Sequence, residues 1–175
     1  MLHKMNKKPF LIMIDGPIGS GKSTTAKILH SKMKRTALIA LDRIKHLLYD
    51  YRVDNHADLQ LASDVGAAMT KTYLSRGINV IVEKAFTQDK YLRSFAKIAR
   101  GRARLLIYQI EAPVYIRIQR VKQRPLPPDA KGKPKLEKIK RNTLHYEQFK
   151  YKGAKVFDSS LLSPNQIVRR ILKDV

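Results

Sequence analysis

The sequence predicts an α/β fold, a three-layer sandwich built on a five-stranded parallel sheet. Three observations predict it: five short apolar runs suited to buried strands, helical periodicity between them, and a glycine-rich turn joining the first run to the first helix. Strands alternating with helices pair in parallel through right-handed crossovers, which places helices on both faces of the sheet.

The elements follow in chain order. The first strand is read at Phe10–Asp15, and a helix is expected over Lys22–Met33. Thr36–Leu41 is the second strand, followed by a helix over Arg43–Tyr51. Leu59–Ser75 is a longer periodic segment ended by Gly77, a residue suited to a helix C-terminus, and it leads into the strand Ile78–Glu83. Tyr91–Arg100 runs to Gly101 in the same way and precedes the strand Leu105–Ile110. Val114–Gln123 begins after Pro113, Lys155–Asp158 is the last strand, and Pro164–Lys173 closes the chain. Ser163 is placed to cap that last helix, ahead of a proline at its first position. Only Arg124–Gly132 breaks the rhythm, because Pro125, Pro127, Pro128 and Lys131-Gly132-Lys133-Pro134 crowd into a stretch that reads as a loop or lid. The 175 residues suit a single domain, 1–175, with a lid at about 117–150.

Composition narrows the chemistry. Zero cysteines exclude disulfides, thiolate catalysis and cysteine-bound metal. His3, His30, His46, His56 and His145 show no ligand-like spacing. No run of about 18 apolar residues exists, so no spanning helix is expected. The first eight residues lack the apolar stretch of a signal peptide, and a cytoplasmic location is the expectation. The net charge is +22, with 36 Lys and Arg against 14 Asp and Glu. Such a surface attracts polyanions, nucleic acid among them. Between Tyr115 and Lys155 thirteen basic residues face three acidic ones. A basic patch over nucleotide phosphates or an anionic acceptor is one reading of this segment, and a solvated surface is the other.

The motif that carries chemistry is Gly16-Pro17-Ile18-Gly19-Ser20-Gly21-Lys22-Ser23, set between a strand and a helix start. Its glycines permit backbone conformations in which successive N–H groups, running on to Thr24, converge on phosphate oxygens. The helix start adds unpaired donors and a partial positive charge. Lys22 is expected to reach the terminal phosphates, and the Ser23 hydroxyl to ligate Mg²⁺. Asp15 precedes the loop and reads as its structural partner or as a group behind the metal. Asp42 follows the second strand at the carboxyl edge of the sheet, where ligands bind in open α/β folds. It is the candidate base that orients an attacking hydroxyl and accepts its proton, with an N-cap of the following helix as the competing role. Arg117, Arg120 and Arg124 fall on one helical stripe.

Beyond the loop, four segments occur in the order seen in a known group. They are Leu41-Asp42-Arg43-Ile44-Lys45, Val80-Ile81-Val82-Glu83-Lys84-Ala85-Phe86, Tyr108-Gln109-Ile110-Glu111-Ala112-Pro113 leading to Arg117, Arg120 and Arg124, and Val156-Phe157-Asp158-Ser159-Ser160. With them the chain resembles the small P-loop kinases related to polynucleotide kinases, zeta toxins and chloramphenicol phosphotransferases, over nearly its whole length. The resemblance implies ATP and Mg²⁺ as nucleotide and metal, and transfer of the γ-phosphate to a hydroxyl-bearing acceptor. It implies catalytic roles for Lys22, Asp42, Arg120 and Arg124, acceptor contacts from Arg43, Lys45 and Lys84, and metal contacts from Ser23 and Glu83. Glu83 stands where the group commonly has Asp, one methylene shorter. Gln88 is a further pocket candidate. Tyr146 and Phe149 border a base-stacking surface in one reading and pack into the core in another.

Two other functions compete. A guanine-nucleotide switch lacks its Asn-Lys-x-Asp segment after the fourth strand and its Asp-x-x-Gly turn. A P-loop protein that hydrolyses NTP or binds nucleic acid, with no dedicated acceptor, is suggested by charge alone. Acceptor identity and oligomeric state are not encoded in any motif.

Overall fold

Apolar runs of four to eight residues, bounded by turns, are too short for stable helices and bury both faces only inside a covered sheet. In a computed structural model, which describes residues 8–52, 55–86, 89–125, 136–148, 151 and 153–175, five such runs form one parallel sheet. The strands are β1 Phe10–Asp15, β2 Thr36–Ala40, β3 Asn79–Lys84, β4 Arg104–Glu111 and β5 Lys155–Asp158, in the order β2-β3-β1-β4-β5. The helices are α1 Lys22–Lys32, α2 Leu41–Lys45, α3 His56–Ser75, α4 Asp89–Ala99, α5 Val114–Gln123, α6 Leu136–Gln148 and α7 Pro164–Ile171.

β1 sits at the centre, and its alternation divides the core. Leu11 and Met13 join Val80, Val82, Leu74 of α3 and Phe95 of α4 on one face. Ile12 and Ile14 join Leu29 of α1 and Ile167, Val168 and Ile171 of α7 on the other. Each fully buried side chain of this size contributes about 1.5–3 kcal/mol. The sandwich with a five-stranded parallel sheet is therefore the architecture that the strand–helix alternation requires.

Because every pairing is parallel, all five carboxyl ends emerge at one edge. There Asp15 stands level with Lys84 and Gln109, and Ile14 with Glu83. Every charged candidate at a strand end thus faces one rim of the molecule.

Local signals act as expected at several ends. Ser163 accepts from the Gln166 amide at 3.3 Å while the Gln166 side chain accepts from the Ser163 amide at 2.8 Å, closing a capping box with Pro164 behind it. Asn55 caps α3 by accepting from the Ala57 amide at 2.9 Å. Gly66 lies inside α3, where a Cβ would overlap the Leu41 side chain. That close approach seats α2 against α3 and so sets the height of Asp42.

Two elements differ from the sequence reading. The helix expected over Arg43–Tyr51 is only α2, Leu41–Lys45. Beyond it the chain makes three-residue turns, with the amides of His46, Leu47 and Leu48 donating to Arg43, Ile44 and Lys45 carbonyls, and Asp50 breaks away at φ 56°. Leu47 and Tyr49 are 79% and 97% exposed, so an extended helix would have no face to bury. Conversely, α6 occupies the back of the segment read as a lid, where no helix was expected. The stretch 126–135, which includes most of the proline-rich loop, lies outside the described residues, as do Gln88 and Phe149. Among the described residues no helix is long and apolar enough to cross a membrane.

Candidate active site

The loop is shaped by its glycines and by three elements behind it. Gly19 has φ 85°, and a Cβ there would lie 2.7 Å from the Arg117 carbonyl oxygen. Gly21 has φ 93° and ends the loop as the N-cap of α1. Pro17 is buried, Thr24 is exposed, and the first-turn amides of Lys22, Ser23 and Thr24 have no intrahelical acceptor, as in any helix start. They form a cradle for anionic oxygen.

Support comes from residues far away in sequence. Buried Arg117 donates to the carbonyls of Ala112 at 3.0 Å and Ile18 at 3.2 Å, and to the Thr143 hydroxyl of α6 at 2.6 Å. Asn142 of α6 accepts from the Ile18 amide at 2.8 Å. Arg120 donates to the Ser159 hydroxyl at 2.8 Å, the Ser159 carbonyl at 2.7 Å and, at 3.5 Å, the Gly19 carbonyl. The Ser159 hydroxyl in turn donates to the Ser20 carbonyl at 2.6 Å. The arginine stripe therefore divides: Arg117 and Arg120 hold the loop backbone, and Arg124 is exposed at the end of α5.

Beneath the loop lies Asp15, 1% exposed. Its carboxylate accepts from the amides of Gly16 at 2.7 Å and Phe86 at 2.9 Å, and from Gln109 at 3.4 Å. Burial pushes its pKa up to about 6, against the pull of those donors and of Lys22. Tyr146 of α6 is buried near it, so it presents no stacking surface to solvent. Burial, then the charges of Asp15 and Glu111, push its phenol upward.

The metal-side candidates meet in space. The Ser23 hydroxyl donates to Glu83 Oε1 at 3.0 Å, and the Lys22 ammonium lies 3.7 Å from the same oxygen. Both side chains of that ion pair are nearly buried. A hydroxyl and a carboxylate side by side are hard oxygen donors, and Mg²⁺ commonly takes only one or two protein oxygens beside phosphate and water. The donor set therefore fits this ion. Among the described residues there is no group of three or more His, Asp or Glu suited to a metal.

Across the rim, Asp42 is the second residue of α2, and Ala40 holds the N-cap position with no side-chain cap bond. Asp42 accepts from the Lys45 ammonium at 2.6 Å, and its side chain is 58% exposed. Against a desolvation cost, the charges of Lys45, Lys22 and Lys84 hold the carboxyl below its usual range. Lys84 is buried at the end of β3, its ammonium 4.8 Å above the Tyr91 ring. Burial, then the Lys45 charge, hold its pKa down at about 8, with Asp42 opposing. Arg43 is exposed on α2.

The sequence reading missed Asn142, Thr143 and Ser159 as supports of the loop. The spacing of Ile139, Thr143 and Tyr146 is the helical signal that marks α6, and no local pattern ties Ser159 to Ser20.

A parallel sheet with a glycine loop at its central strand and helices on both faces defines a kinase-like P-loop fold. The chain belongs to AAA_33, an AAA domain family whose profile matches residues 11–149. Comparison with curated protein sequences gives no match. Among solved structures, a sugar kinase from Janibacter sp. superposes with a TM-score of 0.70 at 14% identity, covering 95% of this chain and 93% of that one. A gluconokinase from Sinorhizobium meliloti gives 0.68 at 16% identity over 95% and 91%. The tunicamycin resistance protein of Deinococcus radiodurans gives 0.66 at 17% over 96% and 95%. At these identities the likeness is one of fold.

Proposed function

We propose that the protein is an ATP-dependent phosphotransferase that moves the γ-phosphoryl group to a hydroxyl of a small-molecule or nucleic-acid-end acceptor. The observation that carries this reading is Asp42, a carboxylate just past the carboxyl end of β2 that Lys45 holds at 2.6 Å and that the charges of Lys45, Lys22 and Lys84 keep ionised. A carboxylate there can aim the hydroxyl of an acceptor or, in a hydrolase, a water, and the transfer assay below separates the two.

Phosphoryl transfer asks a protein for position and charge compensation. The loop amides and Lys22 hold the β- and γ-phosphates. Mg²⁺, when bound by Ser23 and Glu83, neutralises phosphate charge. Asp42 accepts a hydrogen bond from the acceptor hydroxyl, whose oxygen forms a bond to the γ-phosphorus as the bond from that phosphorus to the leaving ADP oxygen breaks. The hydroxyl proton passes to Asp42. Because its pKa lies below the usual range, Asp42 acts mainly by aiming the hydroxyl and takes the proton late. Lys45 keeps the carboxylate in place. Arg120 joins the phosphates by exchanging its Ser159 contacts for phosphate oxygens, and Arg124 by turning in from solvent.

The test is transfer of labelled γ-phosphate to a panel of nucleosides, 5′-hydroxyl oligonucleotides, sugars, aminoglycosides and phenicols. A phosphorylated product dependent on Mg²⁺ supports the reading. Release of phosphate to water alone overturns it in favour of an NTPase. The net charge of +22 favours a second reading as a nucleic-acid-binding P-loop protein, which predicts salt-dependent oligonucleotide binding without ATP consumption.

A further inference from the structure

Parallel pairing gives the sheet a second edge, opposite the carboxyl ends that carry the candidate site. The segments that lead into the strands lie there, and their charge is of one sign. Lys34 and Arg35 lead into β2, Arg76 into β3, Lys8 into β1, and Arg100 and Arg102 into β4, which opens with Arg104. All seven are exposed, and these four segments contain no Asp or Glu. The order β2-β3-β1-β4 sets the four strand starts side by side, about 14 Å across at about 4.8 Å per step. Hydrogen bonds tie them together: the Asn79 amide donates to the Arg35 carbonyl at 3.0 Å, the Phe10 amide to the Asn79 side-chain oxygen at 3.0 Å, and the Arg104 amide to the Pro9 carbonyl at 2.8 Å. On one flank α1 and α7, packed together through Leu29 and Ile171, end at the same edge with Lys32, Arg170 and Lys173 exposed. Among the described residues none of the seven makes an ion pair. Asp174, the acid that follows α7, is taken by Lys155 at 2.6 Å and the Tyr108 hydroxyl at 2.8 Å. Asp15, Glu83, Glu111 and Asp158 stand at the other edge. The helix dipole accounts for a cation in a last turn, such as Lys32, but Lys8, Lys34, Arg35, Arg102 and Arg104 lie outside any helix.

We propose that this amino-terminal edge of the sheet binds the phosphate backbone of a nucleic-acid duplex, on the side of the molecule away from the phosphate loop. Like charges gathered without acids repel one another, and a polyanion relieves that repulsion. Five of the seven are arginines, whose planar fork takes two phosphate oxygens at once. The edge holds no ring on which an unstacked base could lie: Phe10 is half-buried with the Arg104 guanidinium 4.7 Å from its centre, and the exposed tyrosines Tyr49 and Tyr115 belong to other segments. Duplex therefore fits better than single strand, with contacts to the backbone and no sequence preference. Among the exposed large apolar side chains only Val175 lies near this edge, which leaves no apolar face to enter a bilayer. The inference goes beyond the phosphotransferase reading, which concerns the opposite edge, and holds independently of it. A chain that carries both surfaces can stay on nucleic acid while its cleft remains open to nucleotide.

The experiment uses the whole chain and a fluorescent DNA duplex of about 20 base pairs and mixed sequence, titrated between about 50 and 200 mM salt. The slope of log affinity against log salt is expected at about −4 to −6, the value for five to seven neutralised phosphates. Combining Lys34→Gln, Arg76→Gln and Arg102→Gln should make the slope shallower by about 2 to 3 and weaken binding about 10- to 100-fold, with the affinity for a non-hydrolysable ATP analogue in Mg²⁺ unchanged. A control removes the same charge from exposed positions elsewhere, Lys27→Gln, Arg52→Gln and Lys140→Gln, and should bind duplex within about twofold of wild type. Equal weakening by the two sets would mean that net charge alone attracts the duplex, and overturns the inference. Displacement of the duplex from wild type by the saturating analogue places it at the phosphate loop and overturns the inference as well. So does absence of duplex binding, whether or not the protein sediments with phosphatidylserine vesicles; sedimentation would assign the edge to a lipid surface. If the triple edge variant also loses analogue affinity, Arg102→Gln alone replaces it, with an expected change in slope of about 1. Failure of γ-phosphate transfer removes the phosphotransferase reading and leaves these outcomes untouched.

Discussion

Ser23 and Glu83 are 60 residues apart, yet the serine hydroxyl donates to the glutamate carboxylate across 3.0 Å. The contact exists because β3 lies beside β1 in register, with Ile14 level with Glu83, so the end of β3 meets the first turn of α1. In the proposed enzyme these are the two side-chain oxygens that would hold Mg²⁺.

Glu83→Gln keeps the shape and removes the charge. Triphosphate affinity in the presence of Mg²⁺ is expected to fall by about 10- to 100-fold, the loss typical of a charged hydrogen-bonding partner of about 1.5–3 kcal/mol. Calorimetric titration with and without Mg²⁺ checks it. Equal affinity of both proteins in Mg²⁺ would remove Glu83 from the metal side.

Asp42→Asn should lower the transfer rate by about 10²- to 10⁴-fold, the usual range for loss of an acid–base group, with ATP binding unchanged. Single-turnover transfer beside nucleotide titration separates the two effects. A variant with normal turnover would refute the role.

Arg117→Met leaves the carbonyls of Ala112 and Ile18 and the Thr143 hydroxyl without their buried donor. Loss of about 3 kcal/mol is expected, or a fall in melting temperature of about 6–12 °C for a chain of this size. Nucleotide affinity should fall as well, since Ile18 belongs to the loop. Calorimetry and nucleotide titration read both.

Gly19→Ala and Gly101→Ala form a matched pair. Both glycines have positive φ, 85° and 77°, but only Gly19 has a neighbour, the Arg117 carbonyl, in the space of a Cβ. Gly101→Ala should cost about 1–2 kcal/mol through backbone strain and leave nucleotide binding alone. Gly19→Ala should cost more and abolish nucleotide binding. Equal losses would mean that the loop yields to accommodate the methyl group.

Asp15 sets a pH dependence. Its folded pKa of about 6 lies above the ordinary 3.8, so between these values the folded chain retains a proton that the unfolded chain has released. The stability this group provides is present at low pH, falls as pH rises toward 6, and stays at the lower level beyond it. Relative to Asp15→Asn, wild type should lose on the order of 3 kcal/mol between about pH 4 and pH 7. Urea unfolding of both proteins across that range is the measurement. A constant difference would show that Asp15 stays ionised throughout.

Much of this was legible in the chain. Phe10–Asp15 and Lys155–Asp158 are strands at the bounds the apolar runs suggest, and Val114–Gln123 is the helix expected after Pro113. Local chemistry suffices there, since apolar runs, prolines and caps act within a few residues. Arg43–Tyr51 misled because helical periodicity is no guarantee of a surface to pack against, and Leu47 and Tyr49 have none. Leu136–Gln148 was overlooked because a basic, proline-led stretch masks the spacing of its few buried residues.

Sequence alone determined the strand–loop–helix at the head of the sheet, because glycine, lysine and serine at fixed spacing leave the backbone few other conformations. Tertiary structure alone decided the partners: Glu83 on Ser23, Ser159 on Ser20, and Asn142 and Arg117 on Ile18. Those contacts join residues 60 to 139 positions apart. Strand order and helix docking bring them together, and no local pattern records which strand lies beside which.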